Sequence, residues 1–144
     1  MGPVLACLDF SDVTDRVLAT STELSTKLGV PLVLLHVAAP EPDFVGWGVG
    51  PATARDAVAA DLRDEHRRVQ ELATRLHDRG VEVEPTLVRG ATAETIVEQI
   101  ARRHAALVVL GRHRHATLHH LLVGDVGNTV LRRSPVPVIF VPDR

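Results

Sequence analysis

Gly111 and Gly124 bracket the segment of this chain best suited to chemistry. Before it, Leu107-Val108-Val109-Leu110 is an unbroken apolar run, the mark of a strand covered on both faces. The run ends at Gly111. At Gly124 a helical pattern opens with Val126, Val130 and Leu131, and it closes at Arg132-Arg133-Ser134-Pro135. A loop leaving a parallel strand and entering a helix N-terminus gathers backbone N–H groups and a positive dipole end at one spot, which suits phosphate. Asp125 is expected at that helix start, where a carboxylate caps free N–H groups. The same carboxylate would compete with phosphate for those donors. Two like charges about 4 Å apart repel by roughly 4 kcal/mol at an effective dielectric near 20. Arg114 reads three ways: a solvated surface arginine, a phosphate contact through its fork of donors, or a partner of Asp125 that shuts an empty site.

Four histidines, His113, His115, His119 and His120, crowd the same loop, with His36 and His104 elsewhere. Structural zinc sites combine His with Cys, Asp or Glu at defined spacings, and the single cysteine, Cys7, lies far away in sequence. If residues 117–123 form a helical turn, His115 and His119 share a face at i, i+4, enough for adventitious nickel or zinc. The expectation is a polar surface loop and no metal site. Nor does a catalytic constellation stand out. Ser11, Ser21, Ser25 and Ser134 lack a nucleophile-elbow setting, and Asp61, Asp64 and Glu65 alternate with Arg63, Arg67 and Arg68 as on a solvated, salt-bridged helix face. The expectation is a protein without catalysis.

These residues must be positioned by a single domain, since 144 residues suffice for one ordinary core. No apolar run is long enough to span a bilayer. Met1 leads almost directly into strand-like Val4 to Leu8 with no basic-then-apolar leader, so a cytoplasmic location is expected. Cys7, within that strand, reads as a small buried apolar residue. A net charge of -2 makes no electrostatic case for nucleic acid or membrane binding.

Apolar runs alternate with helix-period segments throughout, which predicts an α/β domain whose open sheet is mainly parallel, with helices on both faces. Strand one is Val4 to Leu8. Ser11 is the expected cap of the first helix, with Asp12 and Asp15 in its first turn, Val17, Leu18, Leu24 and Leu28 on its buried face, and Gly29 ending it. Strand two is Pro31 to Val37. Ala38 to Pro51, with Phe44 and Trp47, is a long irregular loop. Helix two runs from about Thr53 to Asp78 on Val58, Leu62, Val69, Leu72, Ala73 and Leu76. A third strand, nearer an edge, spans Val81 to Val88. Helix three, opened by Gly90, carries the stripe Ala93, Ile96, Val97, Ile100 and Ala101, and Pro137 to Val141 forms strand five.

From Val4 to Pro142 this order of elements resembles the universal stress protein family, and the loop carries the resemblance further. Nucleotide-binding members have Gly, two residues, Gly, nine residues, Gly, then Ser or Thr. This chain has Gly111, Arg112-His113, then Arg114 at the second glycine position, the nine residues His115 to Val123, Gly124, and Asp125 at the hydroxyl position. The resemblance implies a Rossmann-like sheet with strand one beside strand four and a ligand in the crevice beyond their carboxyl ends. It places Asp9 near the ribose and adenine, and Val37 where a backbone meets the adenine. The candidate nucleotide-binding residues are therefore Asp9, Val37, Gly111, Arg114, Gly124 and Asp125. With two of four motif positions changed, the expectation is a small regulatory or protective stress-response protein with weak or no ATP binding. The alternative is an ATP or adenine-nucleotide binder using the loop Gly111–Asp125. The resemblance also implies a homodimer through strand five. An apolar edge strand exposes backbone groups that invite pairing; Pro137 offers no N–H, so pairing would centre on Val138 to Val141 and bury Ile139 or Phe140.

Overall fold

The protein is described from a computed structural model covering residues 1–40, 52–113 and 121–144, with the backbone alone over 121–124. Phe44, Trp47, Arg114, His115, His119 and His120 lie outside the described residues. The chain runs β1 (Val4–Leu8), α1 (Thr14–Leu28), β2 (Leu32–Ala38), α2 (Ala52–His77), β3 (Val83–Arg89), α3 (Thr92–Arg102), β4 (Leu107–Arg112), α4 (Leu121–Arg133) and β5 (Val138–Pro142). All pairings are parallel and the sheet order is β3-β2-β1-β4-β5. The chain steps outward from β1 through β2 to β3, then crosses back to β4 on the other flank of β1. That reversal opens a crevice at the carboxyl ends of β1 and β4.

Alternation along each strand explains why the runs are apolar without a break. Val4, Ala6, Leu8, Leu32 and Leu34 share one core cluster with Val13 and Val17 of the α1 region and Val69 and Ala73 of α2. Leu5, Val33, Leu35, Val108 and Leu110 share the other with Ile96 and Ile100 of α3 and Val130 of α4. Each fully buried Leu, Ile or Val contributes roughly 1.5–3 kcal/mol relative to exposure.

Several local expectations are corrected. Helix α1 begins at Thr14, three residues after Ser11, and its N-cap position, Val13, makes no side-chain cap bond. The Ser11 hydroxyl donates instead to Asp9 Oδ1 at 2.5 Å. Asp12 therefore precedes the helix and only Asp15 lies in its first turn. At the other end Gly29, at φ 65, closes α1 with Val30 N–H donating to Ser25 O, the left-handed cap that glycine adopts without strain. Leu28, Ala101 and Leu131, expected on buried faces, are exposed because each falls at the rim of its apolar stripe. Strand β4 continues through Gly111 and Arg112, where a break was expected. Helix α4 starts at Leu121, so Gly124 lies within it and Asp125 is its fifth residue, exposed, and not its cap.

Candidate functional site

Asp9 follows directly on β1, and its carboxylate is held on both sides. Oδ1 accepts from the Ser11 backbone N–H at 3.0 Å and from the Ser11 hydroxyl. Oδ2 lies 2.9 Å from Nε2 of His113, which stands just beyond β4. The other ring nitrogen, Nδ1, is 3.9 Å from Asp12 Oδ1. Partial burial by itself would raise the Asp9 pKa, but the Ser11 hydroxyl, His113 and the Ser11 N–H together outweigh it and hold the carboxyl below its usual value of 3.8. The parallel β1–β4 pairing, Val4 against Leu107 through Ala6 against Val109, makes the meeting possible by bringing both strand ends to one place.

This trio is not a relay for nucleophilic attack. A serine triad needs the hydroxyl on one imidazole nitrogen and the carboxylate on the other. Here Ser11 Oγ, at 3.3 Å, and Asp9 Oδ2 both face Nε2.

The residue between Asp9 and Ser11 is Phe10, held at φ 58, a conformation costly for a bulky side chain. It packs against His36 with ring centroids 4.4 Å apart and the rings tilted by 40°, and the Arg68 guanidinium lies over it, 4.1 Å from the ring centroid. His36 is buried and donates from Nδ1 to Leu8 O at 2.8 Å, pinning the end of β1. Its Nε2 has no hydrogen-bond partner and lies 3.5 Å from Glu65 Oε2. Glu65, expected on the solvated face of α2, therefore turns inward, while Asp64 pairs with Arg67 as expected.

A cavity of about 210 Å³ opens at the crevice on the α3 and α4 face. Its wall includes Asp9, Val37 and Gly111, together with Cys7, Thr92, Ile96, Val126 and Gly127. Gly111 has a packing reason of its own: a Cβ there would come within 2.4 Å of Val13 Cγ1. Cys7 is only partly buried, because it borders this cavity, yet burial of the thiol pushes its pKa up to about 12. It is a neutral thiol at physiological pH and not a nucleophile. A larger groove of about 880 Å³ lies between α1 and α2, lined by Arg67, Arg68, Glu71 and Arg75 of α2 and by Asp12 and Asp15 around the start of α1. With charges of both signs on its wall and no residue of β4 in it, it is a weaker site than the crevice.

A profile described as the universal stress protein family matches residues 1–142. The chain belongs to the universal stress protein family. The universal stress protein YxiE of Bacillus subtilis is 23% identical to it over 143 residues, covering 96% of this chain and 97% of its own. The solved structure of MJ0577, a universal stress protein of Methanocaldococcus jannaschii, superposes with a TM-score of 0.76 at 23% identity, covering 98% of this chain and 95% of its own. The structure of the universal stress protein from Archaeoglobus fulgidus in complex with dAMP gives a TM-score of 0.67 at 21% identity, covering 97% of each chain. At such identities the two solved structures speak to fold alone.

Of the six candidate residues, then, this universal stress protein domain brings three, Asp9, Val37 and Gly111, to one cavity wall. Gly124 and Asp125 are carried on α4, whose next residues, Val126 and Gly127, reach the wall. His113 is the residue that sequence reasoning passed over as a surface histidine. It is 17% exposed in its side chain and engaged with Asp9 across 104 residues of sequence. Among the described residues, no three metal-ligating side chains converge. No described helix is long and apolar enough to cross a membrane.

Proposed function

We propose that this universal stress protein is a small cytoplasmic regulatory or protective dimer without catalysis, and that its crevice takes an adenine base while holding a triphosphate weakly or not at all. The cavity volume carries this reading. Sites that enclose a whole small-molecule ligand run to roughly 300–1,000 Å³, and 210 Å³ between Cys7, Val37 and Gly111 is room for a base. Its wall is mostly apolar, with Asp9 as the acceptor for an N–H or O–H donor. At the motif position where a glycine would let backbone approach phosphate the sequence has Arg114, and Asp125 adds an exposed carboxylate on α4. The alternative, a true ATP binder, draws support from the assembly of Asp9, Val37 and Gly111 and from the dAMP in the Archaeoglobus relative. Calorimetric titration with Mg-ATP separates the two: the proposed reading expects a Kd above about 100 μM, about 5 kcal/mol of binding or less, and a low micromolar one-to-one isotherm favours the alternative.

Support for the dimer comes from β5 at the sheet edge. Val108 N–H donates to Pro137 O, so by alternation Ile139 and Val141 also face β4 with their backbones, and those of Val138 and Phe140 point outward. Ile139 and Phe140 side chains already pack against the two core clusters, so the seam would be made by backbone pairing more than by those side chains. Light scattering across micromolar concentrations is expected to give twice the chain mass; a monomer mass throughout removes the dimer.

A further inference from the structure

Asp9 and Phe10 are consecutive, yet they serve opposite faces of the sheet. Asp9 borders the cavity on the α3 and α4 side, whereas the Phe10 ring packs against the core cluster shared with α1 and α2. The chain leaves β1 here and turns at once. Asp9 Oδ1 closes the turn, accepting the Ser11 N–H at 3.0 Å and the Ser11 hydroxyl at 2.5 Å. Phe10, the middle residue, stands at φ 58. Glycine takes that conformation without strain, as Gly29 does at φ 65; a larger residue persists in it only when its surroundings hold it there. At position 10 the ring supplies the hold. Its centroid lies 4.4 Å from that of His36, and the Arg68 guanidinium lies 4.1 Å from it. His36 is itself fixed, donating from Nδ1 to Leu8 O at 2.8 Å, with Nε2 3.5 Å from Glu65 Oε2. Arg68 and Glu65 both belong to α2, so the grip on Phe10 is applied from the face away from the cavity.

We propose that Phe10 is a positioning residue for the crevice: anchored from α2 through its ring, it holds the turn 9–11 in the left-handed form that directs the Asp9 carboxylate at the cavity wall. This rests on the reading of the crevice as an adenine site, in which Asp9 accepts a donor from the ligand. Without the ring, a non-glycine residue at position 10 relaxes toward ordinary negative φ. The Ser11 N–H then leaves Oδ1, and the carboxylate loses its direction on that side. A plain covering role for Phe10 has different consequences. Any apolar side chain of similar bulk would serve it, and the crevice on the far face of the sheet would not feel the change.

The test is adenosine affinity of the full chain, by NMR titration, for the native protein, Phe10→Ala, Phe10→Leu, Phe10→Gly and Arg68→Ala. Phe10→Ala should bind about tenfold more weakly, as for the loss of one hydrogen bond to a charged group. Phe10→Leu keeps apolar bulk without the ring and should lose nearly as much. Phe10→Gly should recover part of the loss, because glycine reaches the left-handed turn unaided. That reverses the usual order, in which alanine is the milder substitution. Arg68→Ala removes an exposed side chain that lines the groove and not the cavity, so it should fold as the native chain does, and it should bind about threefold more weakly. Native affinity in Phe10→Ala, Phe10→Leu and Arg68→Ala, or Phe10→Gly binding no better than Phe10→Ala, overturns the proposal. A second measurement needs no ligand: hydrogen exchange of the Ser11 amide, corrected for neighbouring-residue effects, should be about tenfold faster in Phe10→Ala and slower again in Phe10→Gly. Unchanged Ser11 exchange in every folded variant overturns the proposal whatever adenosine does. Exchange in the expected order, with no protein binding adenosine, the native included, refutes the adenine reading and leaves the anchoring of the turn by Phe10 standing.

Discussion

At one end of the crevice Cys7, Val37, Gly111 and Gly127 wall a cavity of about 210 Å³; strand pairing holds the first three in place, and α4 carries Gly127. In the segment after β4, the chain has Arg114 and Asp125 at the two motif positions where nucleotide-binding members carry a glycine and a hydroxyl residue. The first end is built from the fold itself. Gly111 is bare because Val13 packs against it, and Val37 lies in a strand paired on both sides. Those constraints persist whether or not a ligand binds. Nothing in the packing requires a hydroxyl at position 125, whose side chain is exposed. The difference teaches that residues which double as core are fixed by packing, whereas an exposed position such as 125 is free to vary.

Substitution at the two ends should therefore have opposite signatures, and the largest effect belongs to the base end. Gly111→Ala forces a methyl group against Val13, and about 1–3 kcal/mol of stability should be lost. Val13→Ala in the same chain should recover part of that loss. Asp125→Ser, on an exposed side chain, should change stability by no more than about 0.5 kcal/mol. Denaturant unfolding of the native protein and the three variants checks this. Equal costs at positions 111 and 125 would break the contrast.

Next in size is recovery of phosphate binding. Arg114→Gly combined with Asp125→Ser removes a side chain and a like charge while leaving the base end intact, and Mg-ATP affinity should rise about tenfold, or roughly 1.4 kcal/mol. A folded double variant that binds no better than the native chain would locate the weakness at the base end instead.

The smallest effect concerns Asp9. Its pKa is lowered in the folded protein, so it contributes stability above its ordinary value of 3.8, and that contribution is lost as pH falls through the lowered folded value. Asp9→Asn should thus be less stable than the native protein at pH 7, and the gap should close only as pH falls from 3.8 through the lowered folded value. A constant gap between their unfolding curves across that interval would mean that the Ser11 and His113 contacts do not act on the charged form.

The sheet was legible in the sequence because apolar runs such as Leu32 to Leu35 must be covered on both faces, and a parallel α/β layout follows. Helix starts were less legible. Ser11 has the chemistry of an N-cap, yet its hydroxyl is drawn to Asp9, and α1 begins at Thr14. Asp125 likewise has the chemistry of a cap but falls inside α4, because helical backbone begins at Leu121, before the apolar pattern shows it. Asp9 and Val37 were found through family resemblance. Asp9 and His113 are 104 residues apart, and no local pattern announces their contact. Only the adjacency of β1 and β4 brings them together, and the usual reading of a histidine-rich loop as solvated surface concealed it.

The most direct test of the account compares adenosine and Mg-ATP on the same preparation of the native protein by calorimetry at pH 8. If the crevice retains its base end and has lost its phosphate end, the triphosphate adds little, and the two ligands should bind within about tenfold of each other, both above about 100 μM. Low micromolar Mg-ATP with adenosine at least a hundredfold weaker would contradict it, since the phosphates would then supply most of the binding.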